Sequence, residues 1–360
     1  MPTEKKYKIL LSGGGTGGSV SPLLAVAEEI SRPDSGLSAD FLWLGTKDGL
    51  EANMVGEAGI AFRPIRAGKL RRYFDWRNFR DPFLIIFAFF ESLLILWRWR
   101  PDLILTAGSF VSVPTAVAGW LFGIPVIAHQ QDVVPGLANK IMAKFAKAVT
   151  VTFEKSLNDF GQKAIWTGNP VKIQDLKSRI SDSKPLSVIL VLGGGSGALA
   201  INRFVADALE ELAGFSQVIH QTGKNKNPGQ SGQHRGNLPN YKSFEFLNRE
   251  EMARVYASAD IVISRAGMGV LTELAFLKKP AIIIPMPCSH QEANAAIFGK
   301  ANAAIVLGEK NLTSAVLVEN IKKLLADENL KAALMANLEK IMKPGAKAEY
   351  LKLVKKYLNA

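Results

Sequence analysis

Residues 13–18 read Gly-Gly-Gly-Thr-Gly-Gly, set between an apolar run and a helix-like segment carrying Pro22. Glycine is costly to order, so this density means a close approach to the backbone or positive φ. A strand, a glycine turn and a helix N-terminus together offer an anion several backbone N–H groups and the positive end of a helix dipole. A near-repeat, GGGSGA at 193–198, follows another apolar run, and SRAGMGVLTE at 264–273 opens a further helix. Phosphate is an anion that all three could take. Tight strand–helix packing without a ligand is the alternative, above all for the second loop.

The spacings G-x-G-x-x-G and G-x-G-x-x-A suggest a dinucleotide, which also requires an acidic residue on the ribose just after the second strand. At those points stand Gly45-Thr46-Lys47 and His220-Gln221-Thr222, with no acid in either. The third loop fits a nucleotide diphosphate better. Its amides could take the phosphates, with Arg265 adding charge, while the two oxygens of Glu273 accept from both ribose hydroxyls. A solvated glutamate near a helix start, favoured by the dipole, would look the same. Gln291, in the polar turn PMPCSHQEAN at 285–294, can donate and accept as a sugar requires. Together these residues indicate a nucleotide-sugar enzyme.

The elements that must hold them alternate strand and helix. Buried strands are expected at Ile9–Ser12, Phe41–Gly45, Leu103–Thr106, Pro125–His129 and Val149–Phe153. A second series follows at Ser187–Leu192, Gln217–Gln221, Ile261–Ser264 and Ala281–Pro285. Continuous apolar strands separated by helices, such as Ser21–Ile30 and Pro114–Leu121, specify an α/β fold with parallel sheets covered on both faces. The 360 residues suffice for two domains. The polar stretch 172–184 separates them, giving 1–165 and 166–345, with a last helix over 346–360 that could return to the first domain. One cysteine, Cys288, excludes an internal disulfide framework and fits a reducing compartment.

The formal net charge of +12 leaves nucleic acid, anionic membrane or a phosphorylated substrate as partners. Residues 69–100 decide for the membrane, because seven basic residues flank or punctuate ten aromatics there. The apolar run Phe83–Phe90 is interrupted by Glu91-Ser92 and falls short of the roughly 20 residues of a span, so an interfacial helix is expected. A helix buried in the first domain is the alternative, and nucleic acid is disfavoured.

Over nearly its whole length the sequence resembles the MurG family of bacterial glycosyltransferases, in glycosyltransferase family 28. The resemblance rests on GGGTGG (13–18), GSFVSVP (108–114), HQQDVVPGLAN (129–139), TGNPV (167–171), GGGSGA (193–198), RAGMGVLTEL (265–274) and HQEANA (290–295). It implies a GT-B fold, two Rossmann-like domains facing across a cleft. It also implies inverting transfer of N-acetylglucosamine from UDP-GlcNAc to undecaprenyl-diphosphate-MurNAc-pentapeptide (lipid I), giving lipid II at the cytoplasmic face of the cell membrane. Thr16, Gly17 and Gly18 would face the acceptor diphosphate and donor sugar, and Lys172 would contact the nucleotide. Leu247 would offer its backbone to uracil, Met268, Gly269, Val270, Leu271 and Thr272 would wrap the phosphates, and Glu273 and Gln291 would hold ribose and GlcNAc. Asn139 and Asn202 match polar family positions, and Gly195 and Ser196 in the second glycine loop would also bind substrate.

The chain departs from that pattern at Ser19 (usually histidine), Gln130 (glutamate), Asp132 (asparagine) and Gly195 (serine). The acceptor hydroxyl must lose a proton, and Ser19 is too weak a base to take it unaided. The expectation is therefore that Asp132 acts as base or orients His129, with Asp132 as a simple turn cap the alternative. With no D-x-D triplet in the sequence, no metal or other cofactor is expected, although a divalent cation could stimulate. The rivals are a transferase acting on another lipid acceptor and a silent module that binds lipid-linked precursors.

Overall fold

The computed structural model describes residues 5–15, 17–47, 49, 51–66, 68, 77–171, 186–194, 197–226 and 238–360. Thr16, Lys172, Gly195, Ser196, the stretch 172–184 and the basic flank 69–76 lie outside the described residues. The chain divides into two compact units, Met1–Lys172 with Lys343–Ala360, and Ile173–Met342.

The first unit opens with β1 (Lys6–Ser12), α1 (Ser21–Ile30), β2 (Ser38–Gly45), α2 (Glu51–Glu57) and β3 (Ala61–Pro64). The long α3 (Arg77–Trp99), β4 (Leu103–Thr106), α4 (Ser112–Leu121) and β5 (Val126–Gln130) follow. It continues through α5 (Leu137–Phe145), β6 (Ala148–Val151), α6 (Leu157–Phe160) and β7 (Ala164–Trp166). The strands form one sheet in the order β3-β2-β1-β4-β5-β6-β7, every pairing parallel. Side chains of period 2 supply both faces. Ile9, Leu11, Trp43, Leu103 and Leu105 enter one core, and Leu10, Leu42, Leu44 and Ile104 the other.

The second unit runs β8 (Ser187–Leu192), α7 (Leu199–Asp207), α8 (Leu209–Phe215), β9 (Ser216–Gln221) and β10 (Tyr241–Phe244). Then come α9 (Arg249–Ser258), β11 (Ile261–Ser264), α10 (Met268–Leu277), β12 (Ala281–Ile283) and α11 (His290–Lys300). β13 (Ile305–Val306), α12 (Ser314–Ala326) and α13 (Glu328–Ile341) complete it. Its sheet is also wholly parallel, in the order β10-β9-β8-β11-β12-β13.

The last helix, α14 (Ala346–Leu358), belongs to the first unit and packs on α1. Tyr350, Leu353, Val354 and Leu358 join the core that β1 and α1 build. The return is pinned where it begins, since Lys343 Nζ donates to Trp166 O at 2.8 Å and sits 3.3 Å from Glu349.

α3 extends beyond the apolar run that the sequence marks. Asp81–Trp99 is long and apolar enough, by length and composition, to cross a membrane, where the apolar run alone looked too short. Its two faces nevertheless differ. Ala88, Ser92, Ile95 and Leu96 are buried, and Ser92 Oγ lies 3.3 Å from Thr115 Oγ1 on α4. Phe83, Ile86, Phe87, Phe90, Leu94 and Trp97 are exposed, spaced as one helical stripe. Glu91, which breaks the run, pairs with Arg66: the backbone N–H of Arg66 donates to it at 2.8 Å and the guanidinium lies 3.5 Å away.

Candidate active site

In the second unit, β11 delivers the chain into a loop whose last residue, Gly267, is the N-cap of α10 and has no side chain to cap it. The flanking helices are served differently. Asn248 and Glu251 form a capping box on α9, and Ser289 caps α11. The first intrahelical bond of α10 runs from Leu271 N to Gly267 O at 3.0 Å, so the amides of Met268, Gly269 and Val270 have no acceptor within the helix. A Cβ built on Gly267 or Gly269 would meet nothing within 4 Å, and neither residue has positive φ. In the GGGSGA loop, by contrast, Gly197 has φ +74° and its Cβ would lie 2.1 Å from Thr222 O. That loop needs its glycine for packing. At 267 and 269 the fold makes no such demand, while a phosphate laid on bare helix amides would.

Glu273 lies in the second turn of α10. Tyr256 on α9 donates its hydroxyl to Glu273 Oε2 at 2.7 Å. Burial pushes the Glu273 carboxyl up to about 7, and the Tyr256 hydrogen bond pulls it only partly back. The same pairing, with burial the larger cause, holds the Tyr256 phenol well above its usual range. Gln291 folds back so that its Oε1 accepts from Met286 N at 3.1 Å, which leaves its amide as the donor end. Thr272 Oγ1 donates to Met268 O at 2.6 Å, and Met268 and Leu271 are buried, so this turn presents backbone rather than side chain. Arg265 differs from expectation. Its guanidinium bonds Ile284 O at 3.1 Å and pairs with Glu309, so it braces the loop instead of standing as an open cation. The Leu247 side chain is buried while its neighbour Phe246 is exposed.

In the first unit the residues expected to move a proton are arranged otherwise than the sequence suggests. His129 is fully buried at the end of β5. Its Nε2 lies 2.9 Å from Asn169 Oδ1 and its Nδ1 2.9 Å from Thr150 Oγ1. An amide oxygen only accepts, so the network assigns the proton to Nε2, and Nδ1 accepts from threonine. Burial lowers the imidazole to about 4, with the Asn169 hydrogen bond and the Thr150 backbone opposing. Neither nitrogen is left to serve a substrate or to be oriented by Asp132. Gln130 is also internal: its Nε2 donates to Asp132 O at 2.6 Å and its Oε1 accepts from Asn139 at 2.6 Å. A glutamate could not donate that bond. Ser19 is buried and donates to Gly14 O at 2.9 Å. Asn202 repeats the His129 pattern in the second unit. Its Oδ1 lies 3.0 Å from His220 Nε2 and its Nδ2 donates to Thr222 O and Lys226 O.

Residues 9–151 match the glycosyltransferase family 28 N-terminal domain and residues 188–349 the family's C-terminal domain. The chain belongs to glycosyltransferase family 28. Curated family members named UDP-N-acetylglucosamine–N-acetylmuramyl-(pentapeptide) pyrophosphoryl-undecaprenol N-acetylglucosamine transferase are similar over most of their length. The protein from Clostridium botulinum is 35% identical, covering 97% of this chain and 99% of its own. That from Clostridium kluyveri is 38% identical over 88% and 91%. The crystal structure of Acinetobacter baumannii MurG superposes with a TM-score of 0.74 at 27% identity, over 97% and 99% of the two chains. Each sheet thus carries one half of the GT-B architecture of family 28.

Four residues that shape or line these loops, two in each unit, are absent from the sequence-derived set. Tyr256 supports Glu273 from another helix, and no local pattern connects the two. Asn294 donates to Ala266 O at 3.2 Å and so holds the loop before α10; its place in HQEANA was its only signal. Ser109 has φ 84° and a buried hydroxyl without a partner, next to where a Gly15 side chain would lie. Glu51, wholly buried, accepts from the first glycine loop.

The Glu273 carboxyl gives a pH signature. Its folded value near 7 lies above the ordinary 4.5, so its contribution to stability is full below about 4.5 and is lost as pH rises through 7. His220, lowered by burial to about 4, acts in the opposite sense, losing stability as pH falls from 6.5. The difference between wild type and Glu273→Gln isolates the glutamate. The melting temperature of wild type relative to the variant should drop between pH 4.5 and 7.5. A pH-independent difference would refute the raised carboxyl.

Proposed function

We infer that the protein transfers N-acetylglucosamine from UDP-GlcNAc to undecaprenyl-diphosphate-linked N-acetylmuramoyl-pentapeptide, forming lipid II for peptidoglycan. The observation that carries this is the uncapped start of α10, with glycines the fold does not require and a carboxylate one turn on, in a chain so similar to transferases named for that reaction. The acceptor hydroxyl attacks the anomeric carbon from the face opposite the leaving group. A new C–O bond forms as the bond to the UDP phosphate breaks, and the configuration inverts. The amides of Met268, Gly269 and Val270 stabilise the charge that develops on UDP, and their fixed orientation means that no reorganisation is needed. No metal or other cofactor is assigned a part in this step. Glu273 holds the ribose, and the amide of Gln291 serves the sugar. Asp132 takes the acceptor proton, since both nitrogens of His129 are engaged in the core.

The exposed stripe of α3 is proposed to rest on the anionic surface of the membrane that carries the lipid acceptor, at its cytoplasmic face. A helix with one face in a domain core and the other lined by Phe83, Phe87, Phe90 and Trp97 suits an interfacial position, and Arg98 and Arg100 at its end suit acidic headgroups.

The decisive assay is incubation with labelled UDP-GlcNAc and lipid I, with lipid II resolved by chromatography. Absence of product under saturating substrates would overturn the assignment. Gly269→Ala should fold with unchanged or slightly higher melting temperature, because alanine favours helix, yet should weaken UDP at least tenfold. Unaltered UDP affinity would remove the phosphates from α10. Asp132→Asn should lower kcat about 10²-fold or more with UDP affinity kept; a change of only a few-fold would assign the proton elsewhere. Phe83→Ser, Phe87→Ser and Phe90→Ser together should abolish sedimentation with anionic vesicles while UDP affinity is retained. Undiminished sedimentation of the folded variant would exclude α3 as the contact.

A further inference from the structure

The peptide group joining Gly14 to Gly15 is gripped at both ends by side chains. Ser19 Oγ donates to its carbonyl at 2.9 Å, and its N–H donates to Glu51 Oε2 at 3.2 Å. Glu51 is the first residue of α2 and is 0% exposed. Its other oxygen accepts from Thr46 N at 2.8 Å and from the Thr46 hydroxyl. Buried carboxylates must find donors, and this one finds all three in the two loops that it joins.

Two glycines exist to admit it. A Cβ on Gly14 would lie 2.2 Å from Glu51 Oε1, and one on Gly49 1.9 Å from Oε2. Neither glycine has positive φ, so the backbone at both positions would tolerate alanine. At Gly14 the obstacle is the carboxylate, and at Gly49 the carboxylate supplies the nearest atoms. Moving it aside breaks its hydrogen bonds, so the space cannot be recovered cheaply. Gly15, on the other side of the clamped peptide, takes φ +79°. The plane that Ser19 and Glu51 hold directs the chain into that turn.

We propose that Glu51 is a positioning residue for the acceptor: with Ser19 it clamps the 14–15 peptide and so sets the path of the first glycine loop. This rests on the reading that the loop serves the acceptor. It gives Ser19, which stands where the family usually has histidine, a task that needs no basicity. Glu51 acts on the substrate only through the backbone it holds.

The test combines Glu51→Gln, Glu51→Ala, Gly14→Ala and the double variant Gly14→Ala/Glu51→Ala. In Glu51→Gln an amide donor replaces one acceptor oxygen against N–H groups. Its kcat/KM for lipid I should fall at least tenfold, while UDP affinity stays within twofold of wild type. Gly14→Ala should cost a similar factor alone but less than twofold in the Glu51→Ala background, because the clash is then gone. Acceptor kcat/KM within twofold of wild type in Glu51→Gln, or additive losses in the cycle, would overturn the proposal. If the Glu51 variants fail to fold, Ser19→Ala releases the other end of the same peptide. It should lose acceptor kcat/KM at least tenfold with UDP affinity kept, and Ser19→Thr, which retains the donor, should restore it; an active Ser19→Ala refutes the clamp. The same cycle read by melting temperature is independent of catalysis. Gly14→Ala should destabilise wild type and not Glu51→Ala, so the clamp is tested even if no lipid II forms.

Discussion

Parallel strands cannot be joined by tight hairpins. Each connection must cross over a face of the sheet, and each face must then be covered. In both sheets of this protein every pairing is parallel. Most strands therefore end in a loop that enters a helix, and those loops gather at the carboxyl edge of their sheet. The glycine loop after β1, the Gly108–Val111 turn after β4 and the segment after β5 share one such edge. The loops after β8, β9, β11 and β12 share the other. Chemistry collects there because topology brings the helix N-termini to that side, with their unpaired amides. Glu51, Arg265 and Asn294 shape those loops from within.

The strands legible in the sequence and the strands missed differ in position within the sheet. β1, β2, β4, β5 and β6, and β8, β9, β11 and β12, are interior, and each carries an apolar stretch that marks it in the sequence. β3, β7, β10 and β13 went unread, and these are the four edges. β3 is largely exposed and β7 only partly buried. An edge strand carries one neighbour and thin cover, so nothing requires its sequence to be apolar throughout. α1 was legible to the residue because Pro22 fixes its start and its apolar face is continuous.

The site was legible in its backbone parts and obscure in its polar core. The run from Arg265 to Glu273 could be placed on a strand, a loop and a helix start, because glycines and a periodic pattern mark those transitions. Whether a polar side chain at a strand end points to solvent or into the protein has no comparable mark. His129 and His220 both end strands, and both are neutral rings sealed by an asparagine on one nitrogen and a hydroxyl on the other. Their partners lie 18 to 40 residues away in sequence. Arg265 was misread for the same reason, since Glu309 comes from a distant turn. Long-range polar pairing is the information that one-dimensional spacing lacks.

The return of α14 to the first unit has a consequence for biogenesis. The core around Leu23, Ile30 and Trp43 is closed by Tyr350, Leu353, Val354 and Leu358, which the ribosome makes only after the whole of the second unit. Translation runs at about 5–20 residues per second, so the first unit must wait many seconds with that apolar surface uncovered. The second unit has no such debt and can fold as soon as it emerges. The half of the molecule synthesised first is therefore the half completed last, and it is the nascent first unit that most needs a holdase during that interval.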